Sequence, residues 1–200
     1  MDKKVIGIIG GAGSGKSEVL RIMKEKYNAQ IIMADEVARE LQKPGEYVYT
    51  QIVEAFGSDI LMPDQTIDRK KLAQLVFNHK EQLNKLNHIV HPAVRREIEK
   101  MIGQSSSSTI VLEAALLVEC GYRSLCDEFW YVYSDETIRR RRMKETRNYT
   151  DEKIDAILKN QLTEDAFIKN SDKIIKNNAT LKALEKEIEK NFSVTIQTCG

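Results

Sequence analysis

The 200-residue chain has little cysteine, little histidine, no long apolar run and no excess of charge of either sign. Its three cysteines, Cys120, Cys126 and Cys199, have no C-x-x-C spacing, and histidine is scarce around them. This argues against a metal cluster or a redox pair and fits the reduced thiols of a cytoplasmic protein. No apolar run is long enough to span a membrane. The opening "MDKKVIG" runs into a strand pattern without a secretory apolar region, so the expected location is the cytoplasm, with no membrane partner. With 31 basic and 30 acidic residues the net charge is +1, which argues against nucleic-acid binding through bulk charge.

A chain of this length buries about 70% of its unfolded surface and needs no disulfide or structural metal to do so. Short apolar runs alternate with helical patterns. Strands are expected near 4–9, 30–33, 109–113, 128–133 and 172–176. Helices are expected near 16–26, 35–42, 46–56, 68–77, 80–90, 92–103, 135–146, 151–160 and 180–191. The fold class is therefore α/β: a parallel five-stranded sheet with helices on both faces, in three layers, with ligands at the carboxyl ends of the strands. The segment 35–108 reads as almost entirely helical and is too long for a simple crossover, so a helical insertion is expected there. Within it, "HP" at 91–92 predicts a helix break, with Pro92 opening the next helix. Met33, Met62 and Met101 are expected to fill the core, and Trp130 and Tyr131 to lie in a buried strand. The tail "SVTIQTCG" is expected to add an edge strand or to fray.

The strongest motif is "GGAGSGKS", 10–17, which fills G-x-x-x-x-G-K-[ST] with Gly10, Gly15, Lys16 and Ser17. "KKVIGII" precedes it as a strand, and "SEVLRIMKEKY" follows with Val19, Leu20, Ile22 and Met23 at helical spacing. Glycines let backbone N–H groups turn inward around phosphates. Lys16 would meet the β- and γ-phosphates, and the Ser17 hydroxyl a Mg²⁺ ion. A nucleoside triphosphate is the expected ligand of a single P-loop domain over 1–200, and the loop alone leaves open a kinase, a switch or a motor.

Three further groups surround this loop in the expected topology. Asp35 follows the second strand, where a carboxylate can accept a hydroxyl proton or cap a helix. Glu113 ends the third strand, where P-loop proteins carry an acid near Mg²⁺, and Glu119 follows as either a functional or a surface residue. "RRRR" at 139–142 fits a lid over ATP phosphates, a solvated helix face or a nucleic-acid patch. Only some of four consecutive arginines can face one way on a helix. A lid region is expected over 139–160, and water exclusion by it would favour transfer to the intended acceptor. His91, before a proline, fits packing or capping better than catalysis.

The order of "GGAGSGKS", "ADEVAREL" (34–41), "IDRKKLAQLVF" (67–77), "LNHIVHPAV" (86–94), "ALLVE" (115–119), the arginine helix, "NQ" (160–161) and "KNN" (176–178) resembles the dephospho-CoA kinase family over almost the whole chain. The resemblance implies transfer of the ATP γ-phosphoryl group to the 3′-hydroxyl of the dephospho-CoA ribose. It implies Asp35, Lys16 and Arg141 as catalytic residues. ATP contacts are implied along Gly11, Ala12, Gly13, Ser14, Gly15, Lys16, Ser17 and Glu18, and at Asn177. Acceptor contacts are implied at Arg69, His91, Pro92, Leu116 and Glu119. Mg²⁺ would be held by Ser17, with Glu113 acting through water. The chain departs from the family pattern at Met33, Glu113, Ala115 and Ala179, and Arg147 lies two residues beyond the usual second lid arginine, at Glu145. Oligomeric state is expected to be a monomer or a weak homo-oligomer. Two other functions fit the residues without the resemblance: another small-molecule kinase, acting on a nucleoside monophosphate or a metabolite, and a non-catalytic ATP-binding module.

Overall fold

The computed structural model describes residues 3–77, 79–114 and 121–196. Five parallel strands, β1 (Lys4–Ile9), β2 (Gln30–Met33), β3 (Thr109–Glu113), β4 (Glu128–Tyr133) and β5 (Lys173–Lys176), form one sheet in the order β2-β3-β1-β4-β5. β1 is central. Ile6 lies opposite Val111 on β3, and Ile8 opposite Trp130 on β4. The strands read as continuous apolar runs because helices cover the sheet.

The chain divides into two compact units, one formed by Met1–Ile31 and Ser106–Gly200, the other by Ile32–Ser105. In the first unit, α1 (Lys16–Tyr27), α6 (Glu136–Arg147), α7 (Asp151–Lys159), α8 (Glu164–Lys169) and α9 (Leu181–Ile196) accompany the strands; in the second, α2 (Ala34–Glu40), α3 (Tyr47–Phe56), α4 (Arg69–Phe77) and α5 (Lys80–Gln104) make up nearly all the regular structure. The first core packs Ile6, Ile8, Val111, Trp130, Val132 and Ile175 of the strands against Val19, Ile22 and Met23 of α1 and Leu184 and Ile188 of α9. Trp130 is fully buried, and Tyr131 is buried beside it, as expected. The second core is built from Val48, Ile52, Ile60, Leu72, Val76 and Ala93.

Several local expectations are corrected. Residues 80–104 form one helix with Pro92 inside it, where a break was expected. Pro92 removes the donor that would meet the His88 carbonyl. Burial of Ala93, Val94 and Ile98, with Leu86, Ile89 and Val90 packed on the second core, holds the helix through that gap. Met62 is 45% exposed, in a turn beside the Leu61–Ile67 bridge, and does not fill the core; Met23 and Met143 do. Residues 193–196 continue α9 where an edge strand or fraying was expected. The short α8 was not anticipated; Thr163 caps it, its hydroxyl accepting from the Ala166 N–H at 3.2 Å.

Candidate active site

The loop between β1 and α1 supplies the chemistry of the first unit. Gly13 and Gly15 have φ of +76° and +93°, which L side chains rarely adopt. A Cβ on Gly13 would lie 2.7 Å from the Arg139 carbonyl oxygen, and one on Gly15 would run into the Asn177 side-chain amide. Both positions therefore require glycine twice over, for backbone conformation and for space.

Lys16, the first residue of α1, donates through Nζ to the Gly10 carbonyl at 2.9 Å. Its ammonium lies 3.8 Å from the Glu113 carboxylate at the end of β3. Ser17 is exposed in the first turn of α1, beside Glu18. The Gly13 and Gly15 N–H groups have no hydrogen-bond partner among the described residues. The Ser14 hydroxyl is buried and likewise without a partner. Unmatched donors beside a lysine at a helix N-terminus suit a phosphate chain. The Ser17 hydroxyl and the Glu113 carboxylate are oxygen donors of the kind Mg²⁺ takes.

Side chains from the far end of the unit secure the loop. Asn177, buried after β5, donates through Nδ2 to the Ser14 carbonyl at 2.8 Å. Arg142 donates to the same carbonyl at 3.2 Å, to that of Asn177 at 2.9 Å and to the Ser134 hydroxyl at 3.0 Å. Arg139 donates through Nε to the Ala12 carbonyl at 2.9 Å and through Nη2 to Gln161 Oε1 at 2.8 Å; that oxygen also accepts the Ala12 N–H at 3.2 Å. Burial, and secondarily the charge of Arg141, holds the Arg142 pKa below the usual guanidinium value.

The four arginines thus separate around α6. Arg139 and Arg142, three residues apart, share the face on the loop. Arg140 pairs with Glu136 and, at 2.6 Å, with Asp155. Arg141 is exposed, and no hydrogen bond or ion pair engages it among the described residues. The roles of Arg139 and Arg142 were missed at the sequence level, although i, i+3 spacing was the available signal.

In the second unit, α2 begins at Ala34 with Met33 as its N-cap. Asp35 therefore lies in the first turn, exposed, and the alternative reading of it as the capping residue is corrected. Arg69 opens α4 and is exposed, and His91 is half-buried on α5. Pro92 lines a groove of about 560 Å³ with Tyr47, Gln51, Lys85, His88, Ile89 and Arg96. Lys85, His88, Ile89, Pro92 and Arg96 fall on one stripe of α5, and none of the lining residues is acidic. Lys85 donates to the Ala55 carbonyl at 2.7 Å, and His88 Nδ1 lies 2.7 Å from the Asn84 carbonyl. Leu116 and Glu119 lie outside the described residues.

A glycine loop with its lysine at the carboxyl end of the central strand of a parallel sheet defines a P-loop nucleotide-binding protein. The dephospho-CoA kinase family profile matches residues 4–183, and the chain belongs to that family. The dephospho-CoA kinase of Geobacillus kaustophilus is 40% identical over 186 residues, covering 92% of each chain. That of Fusobacterium nucleatum is 35% identical, covering 98% of this chain and all of its own. Among solved structures, TT1252 from Thermus thermophilus superposes with a TM-score of 0.83 at 25% identity, covering 96% of this chain and 98% of its own. The Campylobacter jejuni dephospho-CoA kinase shares the fold at a TM-score of 0.61 and 21% identity, covering 96% of each chain.

Proposed function

We propose that the chain transfers the γ-phosphoryl group of ATP to the 3′-hydroxyl of the dephospho-CoA ribose. The observation that carries the phosphoryl donor is the pair of unmatched N–H groups at Gly13 and Gly15 beside Lys16. Family membership supports dephospho-CoA as the acceptor. Lys16 meets the β- and γ-phosphates and carries charge to the transferring group. Asp35 accepts the proton of the attacking 3′-hydroxyl. The new bond joins that oxygen to the γ-phosphorus, the β–γ bridging bond breaks, and ADP leaves. Ser17, with Glu113 through water, would hold Mg²⁺, which supplies charge neutralisation when bound. Arg141, exposed and without a hydrogen-bond or ion-pair partner among the described residues, is available to an incoming phosphate. The groove on α5 offers Lys85, His88 and Arg96 to the acceptor's phosphates and Tyr47, Ile89 and Pro92 to its apolar arm.

The test is ADP release from Mg·ATP with and without dephospho-CoA, with AMP and a nucleoside panel alongside. Acceptor-dependent ADP with CoA as product is expected. Turnover only with another acceptor would replace dephospho-CoA as substrate, and ATP binding without turnover would make the chain a binding module. Asp35→Asn should lower kcat by about 10²–10⁴-fold, the span of general base catalysis, and leave ATP affinity unchanged. Equal losses in both would remove the base role.

A further inference from the structure

We propose that Arg139 and Arg142 are positioning residues that set the peptide planes of the phosphate loop from behind. This rests on the reading of that loop as the ATP site. The two guanidinium groups grip three successive carbonyls. Arg139 holds that of Ala12 at 2.9 Å, and Arg142 holds those of Gly13 at 3.4 Å and Ser14 at 3.2 Å. The chain has no cis peptide among its described residues. In a trans peptide the N–H points opposite to the carbonyl before it. A carbonyl held toward α6 therefore aims the next N–H away from α6.

The three planes differ in whether their N–H groups are already engaged. The Ser14 N–H, after the weakest grip, is used by the Gly11 carbonyl at 3.2 Å in a turn. The Gly13 and Gly15 N–H groups, after the Ala12 and Ser14 carbonyls, have no partner within the described protein. These are the same two residues whose positive φ admits the turned-in conformation. The firmest plane is the last: the Ser14 carbonyl also accepts from Asn177, while the Ser134 hydroxyl donates to the Asn177 carbonyl at 2.7 Å and receives Arg142. Gln161 fixes Arg139 in turn.

Charge points the same way. Arg140 is neutralised by two carboxylates, whereas Arg139 and Arg142 meet only neutral oxygens among the described residues. Partly buried cations without a counter-anion are unfavourable, and a polyanion in the loop relieves that. The pair thus contributes orientation and field together, and the two contributions are separable. Lysine at 142 keeps the charge but not the planar fork that spans the Gly13, Ser14 and Asn177 carbonyls and the Ser134 hydroxyl.

The experiment is calorimetric titration of the full chain with inorganic tripolyphosphate, for wild type and for R139Q, R142Q, R142K and R140Q, with thermal midpoints of the unliganded proteins. Loss of a charge-assisted donor set is expected to weaken binding about tenfold in R142Q and about threefold to tenfold in R139Q. R140Q, which removes one charge from the same helix, should bind like wild type. R142K should recover only part of the loss, and the Gly15 amide ¹H–¹⁵N resonance should move in both variants at position 142. Wild-type affinity in R139Q and R142Q overturns the proposal, and full recovery in R142K overturns the orienting role. If R142Q fails to fold, R142K and R139Q decide by the same criteria. A wild-type chain that binds tripolyphosphate but does not turn over dephospho-CoA refutes the acceptor and leaves this inference standing. A wild-type chain that binds no polyphosphate refutes both.

Discussion

The phosphate loop of the first unit and the groove of the second are both suited to anions, and they are built from opposite materials. The loop presents backbone. Its donors are N–H groups, its shape depends on missing Cβ atoms, and its side-chain supports come from residues as distant in sequence as Asn177. The groove presents side chains. Lys85, His88 and Arg96 project from one helix, and Tyr47, which is 66% exposed, reaches in from α3. A backbone site is rigid and intolerant, since each donor is tied to a peptide plane. A side-chain site on a helix surface tolerates exchange, because a lysine or arginine stem reaches its target in several rotamers.

The largest effect should therefore come from the smallest chemical change. Gly15→Ala adds one methyl group in a conformation with φ of +93° and displaces the Asn177 amide from the Ser14 carbonyl. Backbone strain of ~1–2 kcal/mol and a lost hydrogen bond of ~1 kcal/mol together give about a hundredfold loss of ADP affinity. Isothermal titration with ADP measures it. A loss below threefold would mean that the loop adapts as freely as the groove does, and the contrast would fall.

The difference in material also explains what was legible in the sequence. The loop could be read because a backbone cradle needs glycine, and glycine at fixed spacing is visible in the letters. The five strands could be read because short apolar runs ended at glycines, acids and polar linkers. The groove could not. Its stripe of Lys85, His88, Ile89, Pro92 and Arg96 exists only if α5 runs unbroken through Pro92, and the local rule for proline divides that stripe in two. Packing of Ala93, Val94 and Ile98 overrode the rule, and no single-residue propensity carries that information. The arginine run failed for a related reason. Four identical letters give no partner, and only the fold separates Arg139 and Arg142 on the loop from Arg140 in its surface pairs.

A middle-sized effect should come from the groove. Arg96 is exposed, and no ion pair or hydrogen bond engages it among the described residues. Arg96→Glu reverses its charge without disturbing packing. It should raise the KM for dephospho-CoA about threefold to tenfold, the scale of an exposed charge contact, with the KM for ATP unchanged. Initial-rate kinetics with each substrate varied in turn read this directly. A change in the ATP term alone would assign Arg96 to the nucleotide, and no change in either would remove the groove from acceptor binding.

The smallest effect concerns how the two units meet acid. In the first unit, burial by itself would raise the Asp172 carboxyl, but the paired Arg123 guanidinium and the Phe129 N–H, at 2.6 Å, outweigh it and hold the group below the usual carboxylate range. Burial likewise opposes the Trp130, Lys4 and Lys173 contacts that hold Glu128 low. A depressed carboxyl contributes stability that is present above the unfolded value near pH 4, and that stability is lost as the pH falls through the lower folded value. In the second unit the Asp64 carboxyl is lowered by its own turn with Thr66 and is fully exposed. Acid should therefore loosen the sheet unit through identifiable groups. The single tryptophan, Trp130, is buried in that unit and reports on it alone. Asp172→Asn should lower the thermal midpoint of Trp130 fluorescence at pH 7 by about 2–4 °C or less, as for a largely exposed pair worth up to ~1 kcal/mol. Between pH 4 and pH 2 the variant should then lose less further stability than wild type, because it has one fewer carboxylate to protonate. Parallel acid limbs in the two proteins would mean that Asp172 does not link the sheet to pH, leaving Glu128 to account for the response.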